Sequence, residues 1–123
     1  TRYTMEGPLY PAKLAAAGIE YTVPAAEERA RIDQIIFDEL VYAKFTPQSL
    51  SYYLEVIGRL KAVGCDAVVL GCTEIPLLVT PEVSPLPTLD STRILARAAV
   101  QKAVDSGQLK PSKHSAVSIQ PQT

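Results

Sequence analysis

The chain has 123 residues, which suits one domain built around one core. Its 12 Lys and Arg are scattered among 13 acids for a net charge of −1, which excludes the clustered basic footprint of a nucleic-acid binder. No apolar run approaches the roughly 18–20 residues that span a bilayer, and the opening TRYTMEGPLY lacks the basic and apolar regions of a signal peptide. Position 1 is Thr rather than Met, so the expectation is a fragment, an engineered start, or a chain whose upstream part is missing.

Taken in chain order, the residues alternate between helix and strand patterns. Residues 6–17 read as a short helix interrupted early by Pro8 and Pro11 and closed by Gly18. Ile19–Val23 alternates well enough for a strand, and Pro24 suits the first turn of the next helix, where a missing N–H costs nothing. Along that helix Ile32, Ile35, Ile36, Phe37, Leu40 and Val41 lie near helical spacing, with Glu27, Glu28, Arg29, Arg31, Asp33 and Glu39 at wet positions.

Thr46-Pro47 predicts a helix start, with Thr46 as N-cap and Pro47 at the first helical position. Leu50, Tyr53, Leu54, Ile57 and Leu60 form its apolar stripe, which Gly64 ends. Asp66–Gly71 then predicts a fully buried strand, because Ala67, Val68, Val69 and Leu70 are continuously apolar, as in a parallel sheet covered on both faces. Pro81, Pro85 and Pro87 make an extended connection. Asp90, Ser91 or Thr92 caps a last helix whose Ile94, Leu95, Ala98 and Ala99 face inward and which ends near Gly107. From Gln108 the chain is polar, Pro-containing and aperiodic. The expected organisation is one α/β domain over residues 1–107 and a disordered tail over 108–123. The expected fold class is α/β, three-layer, with a mostly parallel sheet flanked by helices.

Two cysteines do not make a disulfide framework. With an extended strand between them, Cys65 and Cys72 are separated by roughly 20 Å and cannot bridge, so a reducing, cytoplasmic compartment is the default. One His and two distant Cys fall short of a zinc site, and no Gly-rich phosphate loop follows a strand. A Cys72–His114 dyad needs the tail to fold over the sheet, which nothing in the sequence supports.

Cys72 stands out because ligands of open α/β sheets sit outside the carboxyl ends of the strands. Gly71 allows a sharp exit from the strand. The N–H groups of Thr73, Glu74 and Ile75 are then expected to form a nest that favours a carboxylate or the thiolate itself. Cys65, before the strand, reads as a small packed residue.

The stretch VVLGCTEIPLL, residues 68–78, resembles the C-terminal cysteine signature of the aspartate/glutamate racemase family. The likeness extends to TRYTME at 1–6, similar to that family's Thr-x-x-Thr loop, to ERARIDQIIFDEL at 28–40, and to LPTLDST at 86–92. Glu74 looks more like the aspartate-racemase branch than the glutamate-racemase branch, which usually has His there. The resemblance covers about residues 1–105 and matches only the second half of a two-domain chain.

The resemblance implies a cofactor-independent amino-acid racemase in which two cysteines face each other across the substrate α-carbon. One removes the α-proton and the other returns a proton to the opposite face. By the same resemblance Cys72 is one acid/base, and Thr73 holds the substrate carboxylate. Thr1 and Thr4 line the pocket from the other loop, and Glu74 tunes Cys72. No metal or cofactor is implied, and the expected partner is a small amino acid. The partner cysteine is not in this chain, so the chain alone is expected to show no substantial racemisation. Tyr42 stands where some members that prefer acidic substrates carry a basic residue, with Lys44 two positions on, so the substrate stays open. Other readings remain: decarboxylation or isomerisation of a small diacid with one cysteine, or a non-catalytic remnant. A half-domain also exposes an apolar face, so self-association is expected.

Overall fold

The computed structural model describes residues 1–107; the polar tail and His114 lie outside the described residues. The chain divides into a unit of Thr1–Thr92 and a second one from Arg93 onward. The fold is a helix-rich α/β arrangement with a parallel sheet. Among the described residues no helix is long and apolar enough to cross a membrane.

The chain opens on α1 (Arg2–Glu6), not on a loop, with α2 at Leu9–Ala16. Thr1 is the reason: its hydroxyl accepts from the Thr4 N–H at 3.3 Å and so caps the first turn. Glu6 accepts from Arg2 and Arg29, and the Arg2 N–H donates to Asp33 at 2.8 Å, which ties α1 to α3 (Ala26–Asp38). Gly18, at φ +68°, closes α2 as expected of a glycine in the left-handed region.

Residues 19–23 do not form a strand. Ile19, Tyr21 and Val23 are exposed, and no neighbouring strand pairs with them among the described residues. Alternation alone makes no strand; the backbone N–H and C=O groups need a ladder. Pro24 sits just outside α3, whose Ala25 N–H is capped by the Glu28 carboxylate at 2.9 Å. Of the six apolar positions expected to face inward there, Ile32, Ile35, Ile36 and Leu40 are buried, whereas Phe37 and Val41 are exposed. The helix ends at Asp38 and passes into a 3-10 turn (Leu40–Tyr42) closed by Ala43 at φ +55°. That change of period rotates Val41 out of the stripe. Glu39 is not a wet position either: half-buried, it accepts from the hydroxyls of Thr46 (3.1 Å) and Ser49.

The helix α4 (Pro47–Ala62) starts as expected, the Thr46 hydroxyl accepting from the Ser49 N–H at 3.1 Å. Its buried face is Ser49, Tyr53, Val56 and Ile57, with Leu50 and Leu54 packed at the margin. Gly64, at φ +104°, lets the chain leave the helix. The strand β1 is Val68–Leu70, shorter than expected and not buried throughout: Leu70 is buried, but Val69 is 40% exposed. It pairs in parallel with β2 (Thr88–Asp90), in the register Val68–Thr88, Val69–Leu89 and Leu70–Asp90. The connection between them holds the single turn α5 (Ile75–Leu78) and the proline-bearing loop.

One apolar core joins α3, α4, β1 and α5, with Ile35, Ile36, Leu40 and Val79 fully enclosed. The last helix, α6 (Ser91–Asp105), has no buried residue. Ile94, Leu95, Ala98 and Ala99, expected to face inward, are exposed.

Replacing Thr46 by Ala removes the α4 cap and one of the two hydroxyls on Glu39. It should lower unfolding free energy by about 1–2 kcal/mol in urea denaturation, the usual cost of a lost cap. Full stability in Thr46→Ala would show that Ser49 alone holds this helix start.

Candidate active site

Gly71 ends β1 where the backbone must turn at close quarters. A Cβ there would lie 3.2 Å from Thr4 Cγ2, so the strand exit and the α1 cap pack against each other through a residue without a side chain. Tyr10, which the sequence did not single out, brings its hydroxyl to 3.9 Å of the same point. Ser91, at the end of β2, donates to the Leu70 carbonyl at 2.9 Å and holds the last peptide of β1 from the other side. The sequence marked Ser91 only as a helix cap; Asp90 Oδ1 instead accepts from the Thr92 N–H at 3.0 Å.

Cys72 follows immediately and is half-buried against the edge of the core. Its thiol donates to Glu74 Oε2 at 3.0 Å, and the Thr73 hydroxyl donates to the same oxygen at 2.6 Å. The backbone N–H groups of Glu74 and Ile75 lie near enough to the sulfur to favour its thiolate.

The charge balance at the sulfur differs from expectation. Burial, and then the Glu74 carboxylate beside it, push the Cys72 thiol above its ordinary range, against the opposing pull of the two N–H groups. The hydroxyl of Thr73 and then the thiol of Cys72 hold the Glu74 carboxyl below its ordinary range. The resting arrangement is therefore a protonated thiol against an ionised carboxylate, not a thiolate. A proton leaving the sulfur has an acceptor at hydrogen-bond distance, and the thiolate left behind faces two N–H donors.

The remaining site residues expected from the sequence are placed as follows. Thr1, the N-cap of α1, and Thr4, in its first turn, have their hydroxyls 3.1 Å apart, and both line a cavity of about 800 Å³ that runs along β1 to Gly71. Thr73 is exposed, and Glu74 is half-buried at the start of α5. Cys65 lines the same cavity from before β1, at the other end of the strand from Cys72. Lys44 stacks over Tyr42, 5.9 Å from the ring centroid, a pairing that accounts for both without a substrate. Among the described residues no group of three His, Cys, Asp or Glu is placed to hold a metal ion.

Comparison with known proteins gives this parallel α/β arrangement its family. Residues 1–99 match the family model of Asp/Glu/hydantoin racemases, and the chain belongs to that family. Its structure is similar to that of a candidate Asp/Glu racemase from Yersinia pestis, at 38% identity and a TM-score of 0.80. It is also similar to an aspartate racemase homologue from Pyrococcus horikoshii, at 28% identity and a TM-score of 0.77. Each match covers 85% of this chain and 46% of the other, so the chain spans about half the length of these proteins.

Replacing Glu74 by Gln removes a negative charge from beside the sulfur. The pH midpoint for alkylation of Cys72 by iodoacetamide, read with Cys65 replaced by Ser, should therefore move down in Glu74→Gln. A midpoint that stays put or rises would mean that the carboxylate does not govern this thiol.

Proposed function

We propose that this chain carries one half of a two-base, cofactor-independent site for racemising an acidic amino acid, with Cys72 as one acid/base. The observation that supports this most directly is the Cys72 thiol at the end of β1, 3.0 Å from Glu74 Oε2 and faced by two N–H groups. Family membership supports a racemase-type reaction on a small amino acid.

In this reading the resting, protonated Cys72 acts first as the acid. It gives its proton to one face of the planar α-carbon after a base on the opposite face has taken the α-proton. The resulting thiolate is stabilised by the N–H groups of Glu74 and Ile75, and it serves as the base in the reverse direction. Glu74 is a positioning residue that aims the S–H and sets its proton affinity. The Thr73 hydroxyl, which rests on Glu74, is exposed and turns to the substrate carboxylate. The hydroxyl pair of Thr1 and Thr4 supplies further donors.

The opposite base is not Cys65, which lies before β1 while Cys72 follows it. It comes from polypeptide beyond the described residues, in keeping with relatives about twice as long. A second reading draws on the same point: with one thiol at the strand end, decarboxylation or isomerisation of a small diacid needs no second base.

The test has two arms. L- and D-aspartate and glutamate should slow iodoacetamide alkylation of Cys72 saturably, while glycinamide should not. Chiral chromatography after long incubation should show racemisation by the chain no faster than by Cys72→Ala. Absence of protection by any of the four acids would sink the racemase reading. Turnover that disappears in Cys72→Ala would show that no external base is needed. Release of carbon dioxide or isomerised product from a diacid panel would favour the second reading.

A further inference from the structure

The turn that carries Cys72 is restrained from two sides, and the restraints differ in kind. On one side Gly71 packs against α1, where a Cβ would meet Thr4 Cγ2 at 3.2 Å. That contact is steric and limits only how close the turn comes to α1. On the other side the Ser91 hydroxyl donates to the Leu70 carbonyl at 2.9 Å. This bond is directional, and it holds the peptide that joins β1 to Gly71.

The strand pairing places that bond. Along a strand the N–H and C=O of one residue point to the same side, and successive residues alternate. The Val68 N–H donates to the Pro87 carbonyl at 2.9 Å, so the Leu70 carbonyl, two residues on, faces β2 as well. β2 ends at Asp90, the partner of Leu70. Ser91 is the next residue, and its hydroxyl supplies the donor at the point where the pairing stops.

Beyond Gly71 the polar contacts are local. The Cys72 thiol donates to Glu74 at 3.0 Å, and the Thr73 hydroxyl donates to the same carboxylate at 2.6 Å. These contacts move with the turn and do not fix its depth against the core. Depth is set by Ile75 and Leu78, buried after the turn, and by the Ser91 bond before it.

We propose that Ser91 is a positioning residue for Cys72: by holding the Leu70 carbonyl, its hydroxyl sets how deeply the thiol sits against the core. The role rests on the reading of Cys72 as an acid/base and acts through the backbone of Leu70 and Gly71. Depth matters because burial is the largest of the effects that raise the proton affinity of this thiol. Glu74 on the same turn and Tyr53 on α4 are the titratable groups coupled to the sulfur, and burial keeps Tyr53 protonated. Ser91 is uncharged, so replacing it leaves both in place and changes the depth.

The test compares Ser91→Val with Ser91→Thr, side chains of similar shape that differ by a hydroxyl, in the full chain carrying Cys65→Ser. The readout is the pH midpoint for iodoacetamide alkylation of Cys72. Without the bond the turn loosens toward solvent, so the midpoint should fall by at least about half a pH unit in Ser91→Val. Ser91→Thr should keep the midpoint of the parent chain. Ser91→Ala, which adds no bulk, should fall as Ser91→Val does. Any variant that unfolds is read in trimethylamine N-oxide, which favours the compact state. Two results would overturn the proposal: a midpoint unmoved in Ser91→Val and Ser91→Ala while urea stability drops, or an equal fall in Ser91→Thr. The first would leave the hydroxyl a purely structural role. No substrate enters the measurement, so the shift can appear even in a chain that no amino acid protects, which separates this outcome from failure of the racemase reading.

Discussion

The three-residue parallel pairing of Val68–Leu70 with Thr88–Asp90 is the constraint on which the rest of unit Thr1–Thr92 depends. It brings together segments about twenty positions apart, and in doing so delivers Ser91 to the Leu70 carbonyl and fixes where β1 ends. Because Gly71 then turns against Thr4, α1 and α5 meet at the same strand end. The buried side chains of Leu70, Ile75, Leu78 and Val79 anchor that turn in the core shared with α3 and α4. The thiol of Cys72 is held in place because both sides of its turn are buried.

Placement and electrostatics act in opposite directions there. The turn that brings two N–H groups near the sulfur also buries it and sets a carboxylate beside it, and the second pair of effects wins, leaving the thiol protonated at rest. A reversible two-base reaction needs such a poised acid as much as it needs a base, since each direction uses one proton donor and one acceptor. The Glu74 carboxyl is itself stabilised in the ionised form by two donors, Thr73 and Cys72.

Much of the fold was legible in the residues themselves. Thr46-Pro47 announced α4, Gly64 its exit, and the Ile32/Ile35/Ile36 spacing the buried stripe of α3, because caps, left-handed turns and helical periodicity are local properties. The position of Cys72 at a strand end was legible for the same reason: an apolar run, a glycine and a polar cluster occur in order along the chain. β2 was not legible, since Thr88-Leu89-Asp90 is too short for a period and becomes a strand only by pairing. Residues 19–23 misled in the opposite sense, having the pattern of a strand and no ladder. Phe37 and Val41 were assigned to the core by spacing, but the helix changes period at Leu40 and turns Val41 out.

By itself the sequence determined the family signature, the helix caps and the order of chemistry-bearing residues, all of which depend on neighbours a few positions apart. Only the tertiary structure decided that Thr1 caps a helix at the Gly71 turn, that Ser91 holds Leu70, and that Glu39 is shared by two hydroxyls. It also decided the charge environment that keeps the Cys72 thiol protonated. The reason is physical: burial, charge proximity and strand pairing are set by groups far apart in the chain, and no local pattern encodes their distances.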